Sequence, residues 1–297
     1  MERKDLLAPI CLFVYSRLVE AKMTVESLKR NRLAAESQLF VFSDGPVESN
    51  KEEVQAVRDY IHGITGFANV TIYESGVNKG LANSIISGVS MMFKDFSKVI
   101  VLEDDLLLST NFLCFMNEAL DFYENKKRVL SVSGYSLMLK YPGNYPYDTA
   151  YSLRASSWGW ATWNDRWEEI DWDVKSYNSF KFNIFKRLRF NWGGSDMSHM
   201  LDKQMNGRVN SWAIRFCYHQ YEHNMLDVFP VVSKVANVGF GEAATNTKKG
   251  LFSYNTTLDC SNKTHFNMQE DIRLSVPTLL QMKAYHSILV RALTKIF

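Results

Sequence analysis

The sequence predicts an α/β protein built on a Rossmann-like, mostly parallel sheet flanked by helices. Three observations carry that prediction. Short apolar runs alternate with segments of helical spacing through the first half of the chain. Several runs are apolar throughout instead of alternating with polar residues, as in strands buried on both faces. One of them, Val99-Ile100-Val101-Leu102, runs straight into Glu103-Asp104-Asp105, and ligands of open α/β sheets sit at the carboxyl ends of strands.

In order, Ile10 to Tyr15 reads as the first strand, followed by helical spacing from Val19 to Arg30. Gln38 to Ser43 is the second strand and ends at the turn signal Asp44-Gly45-Pro46. A helix over Lys51 to Ile61 and a strand over Asn69 to Tyr73 come next. Asn78-Lys79-Gly80 leads into a helix from Leu81 to Phe93 and then into the acidic strand. Ser109 or Thr110 caps a helix whose apolar stripe includes Phe112, Phe115, Met116 and Leu120. Val129 to Val132 is one more strand, and the alternation argues for right-handed crossovers.

Beyond Tyr135 the texture changes. Residues 140–151 are rich in Tyr, Pro and Gly and read as a loop. An aromatic patch, Ser157-Trp158-Gly159-Trp160-Ala161-Thr162-Trp163, is followed by Trp167 and Trp172. A basic helical stretch spans Lys181 to Arg189, and a second dense patch is Asn210-Ser211-Trp212-Ala213-Ile214-Arg215. Three units are expected: residues 1–135, residues 136–250 of the same domain, and an extension at 251–297. The last segment, 277–297, is amphipathic; core packing is the first reading and peripheral contact with an anionic membrane the second.

The 297 residues carry a net charge of only +2, which gives no electrostatic footprint for nucleic acid. Cys11, Cys114, Cys217 and Cys260 form no Cys-x-x-Cys pair, so neither a disulfide framework nor a zinc site is expected and a reducing, cytoplasmic setting fits. Leu6 to Tyr15 has the length of a signal-peptide core but lacks a small-residue cleavage pattern, so a first core strand is expected there. Sequons begin at Asn69, Asn255 and Asn262 and matter only in a secretory compartment.

Three adjacent carboxylates repel one another unless a cation or water absorbs the field. The plain reading of Glu103-Asp104-Asp105 is a solvated acidic turn; the alternative is a divalent cation with a diphosphate, since hard cations prefer carboxylate oxygens. Arg17 and Asp44 also follow strands, so all three groups lie along one sheet edge and could face one ligand. Singly, Arg17 reads as a helix-start residue and Asp44 as a turn residue. Together they make a nucleotide groove, through donors and an acceptor carboxylate. Neither Gly-x-Gly-x-x-Gly nor a P-loop pattern is present. Flat Trp faces suit a pyranose, and Gly159 lets backbone come close; the competing reading makes Trp160, Trp163 and Trp167 a core stripe at helical spacing.

With these pieces in order, the chain resembles the GT-A glycosyltransferases, in the branch around N-acetylglucosaminyltransferase I and related bacterial polysaccharide sugar transferases. The resemblance rests on Tyr15-Ser16-Arg17, Ser43-Asp44, Asn78-Lys79-Gly80-Leu81, Leu102-Glu103-Asp104-Asp105-Leu106, Trp158-Gly159-Trp160 and Ser211-Trp212-Ala213-Ile214-Arg215, over residues 8–247. It implies a GT-A fold and a nucleotide-sugar donor, usually UDP-linked, with Mn²⁺ or Mg²⁺. It also implies inverting transfer to a saccharide acceptor, lipid-linked by expectation, in surface-polysaccharide assembly at the inner face of the membrane. Carried over, Arg17 and Asp44 contact the base, Lys79 belongs to the donor site, Glu103 and Asp104 contact sugar and ribose, and Asp105 ligates the metal.

Trp158, Gly159, Trp160, Ser211 and Trp212 form the implied acceptor side, with Trp158 nearest the ligand and later tryptophans shared with the core. Relatives often have Asp before the Ser-Trp pair as general base. Asn210 stands there and cannot usefully accept a proton, so Asp202 or Asp196 would substitute. Relatives also show Thr-His-Thr where this chain has Thr245-Asn246-Thr247, a weaker metal ligand. His199, His219 and His223 are the nearby histidines. A sugar-binding protein that no longer catalyses is the alternative. A sugar nucleotidyltransferase is disfavoured because Tyr15-Ser16-Arg17-Leu18 lacks its Gly-rich loop.

Overall fold

The computed structural model describes residues 7–239 and 256–287. Its centre is an eight-stranded sheet in the order β3-β2-β1-β4-β8-β6-β9-β7. The strands are β1 (Ile10–Val14), β2 (Gln38–Ser43), β3 (Asn69–Glu74), β4 (Lys98–Glu103), β6 (Val129–Ser133), β7 (Thr149–Ser152), β8 (Trp160–Trp163) and β9 (Leu226–Pro230). β5 (Leu106–Leu108) and β10 (Val235–Asn237) form a separate antiparallel pair. β1, β2, β3 and β4 are parallel neighbours, and β6 and β9 pair in parallel. β8 is antiparallel to both β4 and β6, and β7 to β9.

Strands flanked on both faces must be apolar on both faces. β1 meets this throughout, with Ile10, Cys11, Leu12, Phe13 and Val14 all buried. On one face lie α1 (Leu18–Lys29), α2 (Lys51–Ile61) and α4 (Phe112–Tyr123), which bury Val25, Leu28, Val57, Ile61, Phe112 and Phe115. α3 (Leu81–Met92) covers the other with α9 (Trp212–Glu222), around Phe13, Ile85, Val89, Trp160 and Phe216. Short helices α5 (Asn164–Trp167), α6 (Tyr177–Lys181), α7 (Ile184–Phe190) and α8 (Met197–Met205) follow β8. The last three close a smaller apolar cluster on Phe180, Phe190, Leu201 and Tyr218.

The predicted helical stripe through Trp160 and Trp163 is instead strand β8. Both of its faces are covered, so large residues three apart pack on opposite sides of the sheet. The segment 256–274 runs back along α4 and β7. Phe266 sets its ring edge-on to Phe115 at 5.2 Å, and the Gln269 backbone N–H donates to Thr149 Oγ1 at 2.9 Å. α10 (Val276–Tyr285) then lies against the turn at 191–193. Among the described residues no helix is long and apolar enough to cross a membrane. Met1 to Leu6, Asn255, Arg291, Lys295 and the Thr245-Asn246-Thr247 segment lie outside the described residues.

Candidate nucleotide-sugar site

The carboxyl ends of β1, β2 and β4 bring five of the expected residues, Arg17, Asp44, Glu103, Asp104 and Asp105, to one edge of the sheet, and Lys79 follows β3. β1 leads to Arg17, whose guanidinium donates to Asp104 and, at 3.0 Å, to Asp105 Oδ2. The Tyr15 backbone N–H donates to Asp104 Oδ2 at 3.3 Å. A buried α1 hydroxyl fixes the turn after β4: Thr24 Oγ1 donates to the Asp104 carbonyl and accepts from the Leu106 N–H. The carboxylates are therefore held by backbone geometry and by one arginine.

One arginine does not neutralise three carboxylates. Burial, with Asp105 and Asp104 alongside, pushes the Glu103 carboxyl up to about 8, with Arg17 opposing. Burial raises Asp104 to about 6 despite Arg17. Arg17 is itself half-buried, which opposes its charge, yet Asp104 and Asp105 hold it above the ordinary arginine value.

Asp105 carries the clearest opening for a cation. Its Oδ1 is buried and has no hydrogen-bond partner among the described residues. The chain leaving β10 crosses directly over it: the Val238 N–H donates to the Asp105 carbonyl at 2.9 Å, and a Cβ at Gly239 would lie 2.3 Å from Asp105 Oδ2. Among the described residues no group of three His, Cys, Asp or Glu side chains could hold a metal ion. The residues fit a divalent cation that takes one protein carboxylate and fills its shell with phosphate oxygens and water.

Asp44 is met by backbone groups. Its carboxylate accepts from the backbone N–H groups of Gly45 at 2.9 Å, Lys79 at 2.9 Å and Gly80 at 2.8 Å. That ties the turn after β2 to the start of α3, and Asn78 adds a bond to the Gly45 carbonyl. The Tyr15 hydroxyl accepts from Asn50 and Asn78, so one residue joins this loop to Asp104. Beside the loop lies a cavity of about 320 Å³ lined by Phe42, Asp44, Tyr73, Glu74 and Lys79 among others. The Phe42 and Tyr73 rings stack there at 5.1 Å.

Trp158 and Gly159 reach the same edge, since Trp160 pairs with Val101 in the antiparallel β4–β8 ladder. Gly159 has φ +62°, and its carbonyl accepts from Gly134 at 2.6 Å. Trp160 and Trp212 do not offer faces to a sugar. Both are buried and stack on one another at 4.7 Å, because β8 and α9 pack face to face. Ser211 caps α9 by accepting from the Ile214 N–H.

The three expected catalytic groups are engaged elsewhere. Asp202 takes Arg187 at 2.7 and 2.9 Å and the Tyr177 hydroxyl at 3.0 Å. Arg187 foremost holds its carboxyl below the ordinary range, which weakens it as a base. Asp196 accepts from Arg154 at 2.7 Å, and the Asn210 side-chain oxygen accepts from Arg215 at 3.0 Å. His219 and His223 stack on each other along α9, with centroids 4.2 Å apart.

Asp227 was not singled out from sequence. It is buried in β9, accepts from Ser131 and Ser133, and is pushed well above the usual carboxylate range by burial. Ser133 Oγ in turn accepts from the Ser156 N–H of the loop leading to Trp158. A lone acid inside the apolar run Leu226-Asp227-Val228-Phe229 was the available signal.

No protein-family model matches the chain, and no curated protein matches it. Among solved structures, a mannosyltransferase from Pyrobaculum calidifontis in complex with GDP-Man and Mn²⁺ overlaps 74% of this chain and 70% of its own, at 11% identity and TM-score 0.40. The galactosyltransferase LgtC, in complex with donor and acceptor sugar analogues, overlaps 71% of this chain and 70% of its own, at 12% identity and TM-score 0.36. S. aureus TarS overlaps 55% of this chain and 30% of its own, at 13% identity and TM-score 0.35. Overlaps this loose transfer no residue roles.

Proposed function

We propose that this protein is a glycosyltransferase that moves a sugar from a nucleoside diphosphate to a saccharide hydroxyl. The observation that carries the reading is the buried, unpartnered Asp105 Oδ1 beside Glu103, Asp104 and Arg17 at the carboxyl edge of a parallel sheet. A bound Mn²⁺ or Mg²⁺ would supply charge neutralisation for the departing diphosphate. Asp105 would hold the cation, and Arg17 keeps the neighbouring carboxylates in place for it. The stacked Phe42–Tyr73 pair and Lys79 suit a base and its ribose, and uridine is the base that the sequence resemblance implies. Asp44 shapes that pocket through the 78–80 loop. Glu103 and Asp104, drawn toward neutrality, can share hydrogen bonds with sugar and ribose hydroxyls. Trp158 would face the acceptor, a polysaccharide intermediate in this reading, and transfer would be inverting.

A second reading keeps the donor site without transfer. It is favoured by the engagement of Asp202, Asp196 and Asn210 with arginines, which leaves none of them as an uncommitted base. Calorimetric titration of UDP, GDP and their sugars with and without Mn²⁺ tests the first. Metal-dependent binding that Asp105→Asn weakens on the order of 100-fold is expected. Absence of nucleotide binding in either condition overturns both readings. Binding without nucleotide release across a panel of saccharide acceptors supports the second.

A further inference from the structure

We propose that the face built by residues 181–192 docks on an anionic phospholipid bilayer. The inference does not depend on the sugar-transfer reading. Phe182 is 85% exposed and Phe185 79% exposed, and Ile184, Leu188 and Trp192 stand exposed around them. α7 is anchored from its opposite side. Phe190 is buried in the small apolar cluster and Arg187 pairs with Asp202, so the helix has a settled inner face and an apolar outer one. Among the described residues nothing covers this contiguous apolar outer face, and such a face marks an interaction surface.

The charge around this face selects the occupant. Residues 174–195 contain Lys175, Lys181, Lys186, Arg187 and Arg189 and no acid, although the whole chain is nearly balanced with 34 basic and 32 acidic residues. Lys181 Nζ lies 5.1 Å from the Phe182 ring centre, and Lys283 of α10 lies 3.9 Å from that of Trp192. Exposed aromatics interleaved with lysines match the interfacial layer of a bilayer. There the rings enter the headgroup–acyl boundary and the ammonium groups meet lipid phosphates. Protein interfaces are depleted of lysine, and two copies meeting across this face would oppose like charges.

Co-sedimentation of the full chain with vesicles tests the proposal. Binding is expected to phosphatidylcholine mixed with phosphatidylglycerol, little to phosphatidylcholine alone, and less at high salt. Phe182→Ser with Phe185→Ser should weaken partitioning at least tenfold, since burying one phenylalanine is worth about a factor of ten. Lys181→Glu with Lys186→Glu should also weaken it and flatten its salt dependence. Both pairs should leave the thermal midpoint unchanged, because all four side chains are exposed. Wild-type protein that stays in solution with anionic vesicles overturns the proposal, as does a phenylalanine variant that binds like wild type. It also fails if Arg291→Glu with Lys295→Glu alone abolishes binding, which would assign the contact to the C-terminal tail. A wild-type dimer that the phenylalanine substitutions split into monomers overturns it too, making this a self-association face.

Discussion

Lys234 and Asp259 form an ion pair in which both residues are almost wholly buried. Lys234 immediately precedes β10, and Asp259 lies in the C-terminal extension, so this pair fastens the extension next to the strand that leads to Gly239. Despite burial, Lys234 together with Asn111 and Ser261 holds the Asp259 carboxyl down to about 2. Against an ordinary value of about 3.9, that favours the charged form by about 2.5 kcal/mol. The contribution is present above pH 4 and is lost as pH falls toward 2. Burial meanwhile pulls the Lys234 ammonium below its ordinary value, so the net worth of the pair is smaller than Asp259 alone suggests. Asp259→Ala leaves a buried ammonium with no counter-charge and should cost about 3–5 kcal/mol. Lys234→Met leaves Asp259 its bonds from Asn111 and Ser261 and should cost about 2 kcal/mol. Lys234→Met with Asp259→Leu should return to within about 1 kcal/mol of wild type. Urea unfolding at neutral pH reads all four corners of the cycle. An Asp259→Ala protein as stable as wild type, or a double variant whose loss equals the sum of the singles, would refute the reasoning.

Three further outcomes are expected. A Cβ at Gly239 would overlap Asp105 Oδ2 at 2.3 Å and the Asp105 Cβ at 2.9 Å, so Gly239→Ala must displace that carboxylate and should lower metal-dependent nucleotide affinity about tenfold by calorimetry. Arg17→Met removes the cation between Asp104 and Asp105; in chelator it should lose about 2–3 kcal/mol of stability, which Mn²⁺ restores in part. Burial, with His223 stacked alongside and Asp171 opposing, draws His219 down to about 4. The folded state therefore resists a proton that the unfolded chain accepts near 6.5. That proton should cost the folded state about 3 kcal/mol between pH 6.5 and 4, against opposite contributions from the raised carboxyls of Glu103 and Asp104, so His219→Gln should gain about 3 kcal/mol on wild type over that range in urea titrations.

β1, β2 and β4 were legible because a parallel strand covered on both faces has to be apolar, as β1 and the apolar stretch of β4 are; the three-residue β5 was not read. The strands after Tyr135 were not. β7 (Thr149–Ser152), β8 and β9 are short, and in them Ser, Asp and Trp occupy buried positions that helical or loop composition imitates. Ser152 and Asp227 fall opposite one another in the β7–β9 register and are satisfied by a polar network under α9. No local pattern announces a strand whose buried face is polar.

The site divides in the same physical way. The place of Glu103, Asp104 and Asp105 at the carboxyl edge could be read because they follow directly on an apolar, buried strand. Asp44 stands at the expected edge, where backbone groups meet it. Its oxygens are filled by N–H groups from residues 79 and 80, a contact that chain order alone does not show. Asp202 looked like a base because a carboxylate next to a candidate acceptor loop is the ordinary signal for one. Arg187, one helix earlier, takes both of its oxygens. What sequence displays is the cost of a charge; what decides its role is which partner meets it in space. At Asp202 an arginine meets it, at Asp44 a loop does, and at Asp105 one buried oxygen is met by no described group. That difference is why the metal-dependent reading is tested at Asp105 and not at the other acids.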